Sequence, residues 1–197
     1  MRYDAEHKDR TRQRILAEAA SAIRTKGPDR VGVAEVMARL DLTHGGFYAH
    51  FTSKDDLIAQ AITYMLDERF AWFVRKTEGL EPKEALQAFI DSYLSTTHRD
   101  APGRGCALAT LGGDVPRLPE AARARFSEGA QRLVGAIAKL LRKLGTRNAE
   151  AVASSAIAEM VGALALSRAM SDSQQSESFL RASRQGLKAR LGVGANE

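Results

Sequence analysis

Between Thr43 and Lys54 the chain reads THGGFYAHFTSK, a run rich in hydrogen-bond donors and free of acids. Thr43, His44, Tyr48, His50 and Lys54 offer a hydroxyl, two imidazoles, a phenol and an ammonium, groups suited to phosphate oxygens and base edges. Gly45 and Gly46 stand among them. Each costs about 1 kcal/mol relative to alanine in a helix interior, yet glycine serves where another molecule must come close to the backbone. It also leaves N–H groups open to an anion. The plain alternative makes HGG a loop, with the helix beginning at Phe47. A metal is not expected here. His44 and His50 lie too far apart in sequence to share a helical turn, and no acidic partner stands near.

Cys106 is the one thiol in the chain, so no internal disulfide can form, which fits a reducing cytoplasm. It follows Pro102, Gly103 and Gly105 and opens a short helical stretch, beside Arg104. A helix dipole and a neighbouring cation lower a cysteine pKa from its free value of about 8.5, which would make Cys106 a sensor of electrophiles. Ala107, Leu108 and Leu111 support the opposite reading, a small buried hydrophobe. Trp72, Phe73, Phe89, Tyr93 and Phe126, with Met160, either line an effector cavity or fill a core. His7 and His98 read as solvated or capping residues, and Ser154-Ser155 as helix-packing residues. No GxSxG, P-loop or dinucleotide glycine pattern appears, so neither an enzyme nor a cofactor is expected, and a helical enzyme stays only as an alternative.

These groups need a scaffold, and the pattern supplies helices. The chain has 197 residues, 27% of them charged, a net charge of +5 and a pI near 9.6. That balance suits a polyanionic partner. The polar N-terminus carries no secretory pattern, and the run 156–166 is too short for a membrane span. Apolar residues recur at helical spacing over 8–26, 33–40, 54–77, 119–144, 148–172 and 174–191. A short helix follows Thr43, another starts at Pro82 and another covers 106–111, which makes about nine in an all-α protein. The second and third helices, joined at Asp41-Leu42, form a helix-turn-helix with Val36, Met37, Leu40, Leu42 and Phe47 as its small core. This divides the chain into a DNA-binding domain, 1–53, and a larger domain, 54–197.

The helix over 148–172 is apolar on two sides. Val152, Ile157, Met160, Val161 and Leu164 form one stripe, and Ala149, Ala153, Ala156, Ala163 and Leu166 the other. A helix buried on both sides needs two covers. A second copy of the chain is the simplest cover for the alanine face, with Leu180, Leu187 and Leu191 of the last helix adding to it.

Residues 11–62, and above all FYAHFTSKDDL, resemble the TetR family of one-component transcriptional repressors. The resemblance implies that Tyr48, His50 and Lys54 contact phosphates, that His44, Gly45 and Gly46 lie nearest the bases, and that Thr43 adds a contact. It departs at Gly32, where the family usually opens the second helix with Ser or Thr. RGCALATLGGDVPRLPE and the segment from Met160 are similar to the NemR-like, electrophile-sensing subgroup, with Ser167 in place of a usual alanine. The implied partners are a double-stranded DNA operator, a small-molecule effector and a second copy of the chain, with no membrane. A DNA-binding protein without an effector is the other alternative.

Overall fold

The computed structural model describes residues 2–194, and its helices break where glycine and proline interrupt the pattern. Among the described residues there are nine α-helices and no strand. They are α1 (Arg2–Lys26), α2 (Val33–Ala38), α3 (Lys54–Thr77), α4 (Pro82–Tyr93), α5 (Thr96–Arg99), α6 (Ala107–Leu111), α7 (Glu120–Lys143), α8 (Ala149–Ala169) and α9 (Ser173–Arg190). Three 3₁₀ segments cover His44–Ala49, Pro102–Arg104 and Val115–Arg117. The helix expected after Thr43 is thus a 3₁₀ segment, tighter than an α-helix. The four-residue α5 has no stripe of its own long enough to see in sequence.

The caps follow local chemistry. Ser53 accepts a hydrogen bond from the N–H of Asp56, and Asp55 and Asp56 place negative charge in the first turn of α3. Pro82 takes the first turn of α4. Asp172 caps α9 through the N–H of Gln175, at 2.8 Å.

Helix α3 is the axis of the molecule. Its 24 residues span roughly 36 Å, with Leu57, Ile58, Ile62 and Met65 buried toward α1, α6 and α7 and Phe73 buried farther along. Helix α1 contributes Ile15, Leu16, Ala19, Ala20 and Ile23, all buried. Along its outer length α3 lies against α7 so closely that Gly129 has no room for a side chain. A Cβ there would sit 2.5 Å from Leu66 Cδ1 and 2.7 Å from Leu66 Cβ.

This contact sets up a stability test. Gly129→Ala gains about 1 kcal/mol of helix propensity but overpacks the helix pair at a cost of about 1–3 kcal/mol. The expected net is a destabilisation of about 1 kcal/mol, a fall of roughly 2–4 °C in Tm, and Gly129→Val should lose more. A thermal melt that rose for either variant would mean that the two helices separate easily.

Helices α8 and α9 correct the expected subunit face. Ala153, Ala156 and Ala163 are 0%, 2% and 5% exposed, and Leu180 and Leu187 are also buried, all within one chain. These side chains are covered by the chain's own helices, since α8 packs against α6, α7 and α9. Of the α8 residues expected on that face only Leu166 is exposed, and the outward stripe runs through it. This stripe carries Ala151, Ser155, Ala158 and Leu166 on α8, and Phe179, Ala182, Gly186 and Ala189 on α9. Helix α8, at 21 residues, is longer than the apolar run 156–166 and is long and apolar enough to cross a bilayer, yet it sits against four helices of the fold, α5, α6, α7 and α9.

Candidate functional site

The turn between α2 and the 3₁₀ segment is made by Asp41, whose φ of 58° is left-handed, a conformation that a short polar side chain tolerates better than most. The N–H of Leu42 then returns to the carbonyl of Met37 at 3.0 Å. Val36, Met37 and Phe47 are buried, with Leu40 and Leu42 packed against them, as the sequence pattern requires. The Phe47 and Phe51 rings stack at 5.5 Å and anchor the segment from below.

Above this anchor the donors are uncovered. Thr43 Oγ1 accepts from the N–H of Gly46 at 3.3 Å, which fixes the start of the turn. His44 is exposed and meets the 64%-exposed Tyr48 edge to face. A Cβ placed on Gly45 would meet nothing within 4 Å, and one on Gly46 would touch only Thr43 and Met37. Nothing inside the chain requires glycine at 45. Gly32, where the sequence departs from the family's usual Ser or Thr, is the N-cap of α2 and makes no side-chain cap bond.

His50 and Lys54 turn partly inward. His50 is half-buried with Nδ1 unpartnered, and burial, with the charges of Lys8 and Arg12, holds its pKa below the usual imidazole range. Lys54 Nζ donates to the Asp29 carbonyl at 3.1 Å and so ties α3 to the α1–α2 turn. Lys8 and Arg12 of α1 stand near His50, and the Arg12 guanidinium lies 5.2 Å over the Phe51 ring. The sequence reading missed both, although HKDRTRQR carries a base at every second position.

A second feature opens at the far end of α3. It is a cleft of about 710 Å³ bounded by α1, α3, α4, α5 and the Pro102–Arg104 turn. Arg24, Arg69, Arg75, Lys76 and Arg104 line it, with Glu68 as the one acid. Arg24 Nη2 donates to Glu68 at 2.8 Å and Nη1 reaches the Gly103 carbonyl at 3.4 Å. Ser92, Ser95 and Thr97 add hydroxyls, and Trp72 adds a ring.

Of the expected effector residues only Trp72 reaches this cleft. Phe89, Tyr93 and Met160 are core residues that pack with Leu133 and Ile157 and leave no space for even a water molecule between them. Phe126 is half-buried against the core. The cations lining the cleft were missed. Their signal is the run ERFAWFVRK, in which Arg69, Trp72 and Lys76 recur at helical spacing.

Cys106 is fully buried and caps the five-residue α6 without a side-chain bond. Its backbone N–H donates to His98 Nε2 at 3.1 Å, while His98 Nδ1 lies 2.7 Å from the Tyr93 carbonyl. A carbonyl only accepts, so Nδ1 carries the proton and Nε2 is bare. His98 is therefore a neutral, half-buried hub, closer to the capping role expected of it than to the solvated one. Burial, then the charges of Arg69 and Arg168, push its pKa down to about 3 against an opposing bond to Tyr93. Arg168 closes the region from α8 by donating to the carbonyls of His98 and Arg99. A Cβ on Gly105 would lie 2.5 Å from Arg168 Nη2, so the Gly105-Cys106 step has a packing reason.

Comparison with known proteins places both halves of the chain. Residues 15–61 match the bacterial regulatory proteins of the tetR family, and residues 82–183 match the tetracyclin repressor-like C-terminal domain. YfiR of Bacillus subtilis, described as an uncharacterized HTH-type transcriptional regulator, is 29% identical over 89 residues. That match covers 45% of this chain and 42% of YfiR, less than half of either. Solved structures share the fold across nearly the whole length. The reduced form of E. coli NemR superposes with a TM-score of 0.81 at 17% identity, covering 91% of this chain and 95% of that one. A TetR regulator from Chloroflexus aurantiacus gives 0.81 at 22% identity, over 95% and 96%. One from Cytophaga hutchinsonii gives 0.81 at 21%, over 97% and 98%.

Proposed function

The chain belongs to the TetR family of bacterial transcriptional regulators, and from that premise we propose that it is a ligand-responsive repressor that binds operator DNA as a homodimer. The observation that carries the ligand-responsive part is the position of Arg24. This residue belongs to α1 of the DNA-binding unit, yet it forms a wall of the cleft and joins Glu68 of α3. A molecule seated in the cleft would touch both the helix that supports the helix-turn-helix and the helix that begins beside it at Lys54. The release mechanism is then a change in the spacing or mobility of the two recognition segments. A hundred-fold loss of operator affinity needs only about 2.7 kcal/mol of difference between the two states.

Thr43, His44, Gly45, Gly46 and Tyr48 form the proposed contact face, with His50 and Lys54 at its rim. Full burial of Cys106 leaves its sulfur no open path to an electrophile in this conformation, so the reading favours a reversibly bound effector over thiol modification.

Selection from a random duplex pool tests the DNA reading. It should return a near-palindrome with half-sites about one DNA turn apart or a little more. On that operator, Lys54→Ala should lower the slope of log K against log salt by about 1, and Tyr48→Phe should weaken all sequences alike. His44→Ala should instead shift preference among operators. A footprint unaffected by both Lys54→Ala and Tyr48→Phe would mean that another surface meets the DNA.

A further inference from the structure

Arg69 is out of place by the ordinary rules. It sits in the middle of α3, 7% exposed, where arginine is almost never buried without a partner. Its Nε and Nη2 are enclosed and make no hydrogen bond. No ion pair to it is formed among the described residues. What it has are rings, with Cζ lying 3.7 Å from the Trp72 centroid and 4.7 Å from that of Tyr93. Cation–π contact offsets part of the lost hydration, but it leaves N–H donors aimed at nothing. A buried charge normally needs a paired and hydrogen-bonded counter-charge.

The cleft that Arg69 lines repeats the imbalance. Arg24 and Glu68 form an ion pair, although Arg24 Nε stays enclosed and unbonded. Arg75, Lys76 and Arg104 remain, and none of them has an ion-pair partner among the described residues. Arg75 and Lys76 lie in the last turn of α3, where cations complement the helix dipole and need no further reason. Arg69 lies about two turns earlier and has no such reason. The DNA does not supply the missing anion either. Lys54, at the proposed DNA face, is 15 residues before Arg69 along α3, roughly 22 Å at the α-helical rise.

We infer that the cleft is a site for a small, multiply charged oxyanion, a phosphate ester or a polycarboxylate, whose headgroup supplies the counter-charge that Arg69 lacks. Planar guanidinium donors match carboxylate and phosphate oxygens in pairs. The hydroxyls of Ser95 and Thr97 line the same cleft and can add neutral donors. A volume of about 710 Å³ is within the range of metabolite-sized pockets. This inference rests on the ligand-responsive reading for its regulatory meaning but not for the binding itself.

The test is calorimetric titration of the full-length protein with citrate and with pyrophosphate, at fixed ionic strength, with acetate as the singly charged control. At least one polyanion should bind, and acetate should not. Arg69→Met should weaken that binding by about tenfold or more while the protein stays folded, since apolar replacement of a buried charge is often neutral or stabilising. The exposed pair Arg75→Gln/Lys76→Gln, which cannot unfold a core, should weaken it as well, whereas Arg147→Gln on the distant α7–α8 turn should not. Citrate tighter than pyrophosphate points to a polycarboxylate, and the reverse order to a phosphate ester. Failure of both polyanions to bind, or equal binding by wild type and Arg69→Met, overturns the site. Operator release is read separately by anisotropy. Arg69-dependent binding without release keeps the site and removes its regulatory role, and release that ignores Arg69 keeps the regulator and removes the site.

Discussion

Gly45→Val is expected to leave the protein folded and to weaken operator binding by on the order of tenfold or more, about 1.4 kcal/mol. Two facts separate fold from function here. A Cβ at position 45 meets no protein atom within 4 Å, and the residue is exposed at the crest of the 3₁₀ segment. Its backbone is not left-handed, so any residue can adopt it. Glycine at such a position gives the chain nothing. It costs backbone entropy, and replacement should hold or slightly raise the melting temperature. The benefit must then come from outside, from a surface that approaches the backbone more closely than a branched side chain permits. Gly45→Ala should sit between wild type and valine in affinity. Fluorescence anisotropy on the selected duplex, beside a thermal melt, reads both quantities. If valine bound DNA as tightly as glycine, the segment would not enter the groove and the contact face would need to be sought on α1, around Lys8 and Arg12.

The helix-turn-helix was legible because its signals are local. Val36, Met37 and Phe47 form a compact apolar set, Asp41-Leu42 interrupts the helical run, and Thr43 caps the 3₁₀ segment, all within a dozen residues. Helix α3 was readable to its ends for the same reason, with Ser53 and two acids at its start and Gly79 after it. The cleft was not legible, because its walls come from elements far apart in sequence. Arg69 still left a trace. It lies on the core stripe of α3, in step with Ile62, Met65, Leu66 and Phe73, and an arginine on a core stripe is an anomaly that hydropathy averages hide. The aromatic residues misled for the opposite reason. Phe89 and Tyr93 have the side chains of a ligand cavity, but residue type cannot tell a filled core from an empty one. His98 shows the same limit, since its role depends on a carbonyl five residues away and on two arginines from other helices.

Helix α8 shows how the subunit face was misplaced and yields the second large effect. Both of its faces are rich in small residues, so spacing alone could not say which one looks inward. Burial assigns Ala153, Ala156 and Ala163 to the protomer core, and Ala156→Arg should therefore unfold the chain and report nothing about association. The informative position is Ala158, which is exposed on the stripe with Ser155 and Leu166. Across the helix pair this stripe continues through Phe179, Ala182, Gly186 and Ala189, and Leu166 and Phe179 are 47% and 37% exposed. Glu159, at its margin, is already paired with Arg190 at 2.8 Å, so the stripe itself carries no unmatched charge. Small residues permit close helix approach, and two such pairs facing each other would make a four-helix contact. Ala158→Arg is thus expected to keep the protein folded and to halve the mass in analytical ultracentrifugation to that of one 21.4 kDa chain. Operator affinity should fall with it by about a hundred-fold or more, because two linked half-site contacts become one. Leu166→Arg should act in the same direction. A variant that stayed dimeric, with native circular dichroism, would place the subunit contact elsewhere, and a monomer that kept full operator affinity would remove the two-fold reading of the operator.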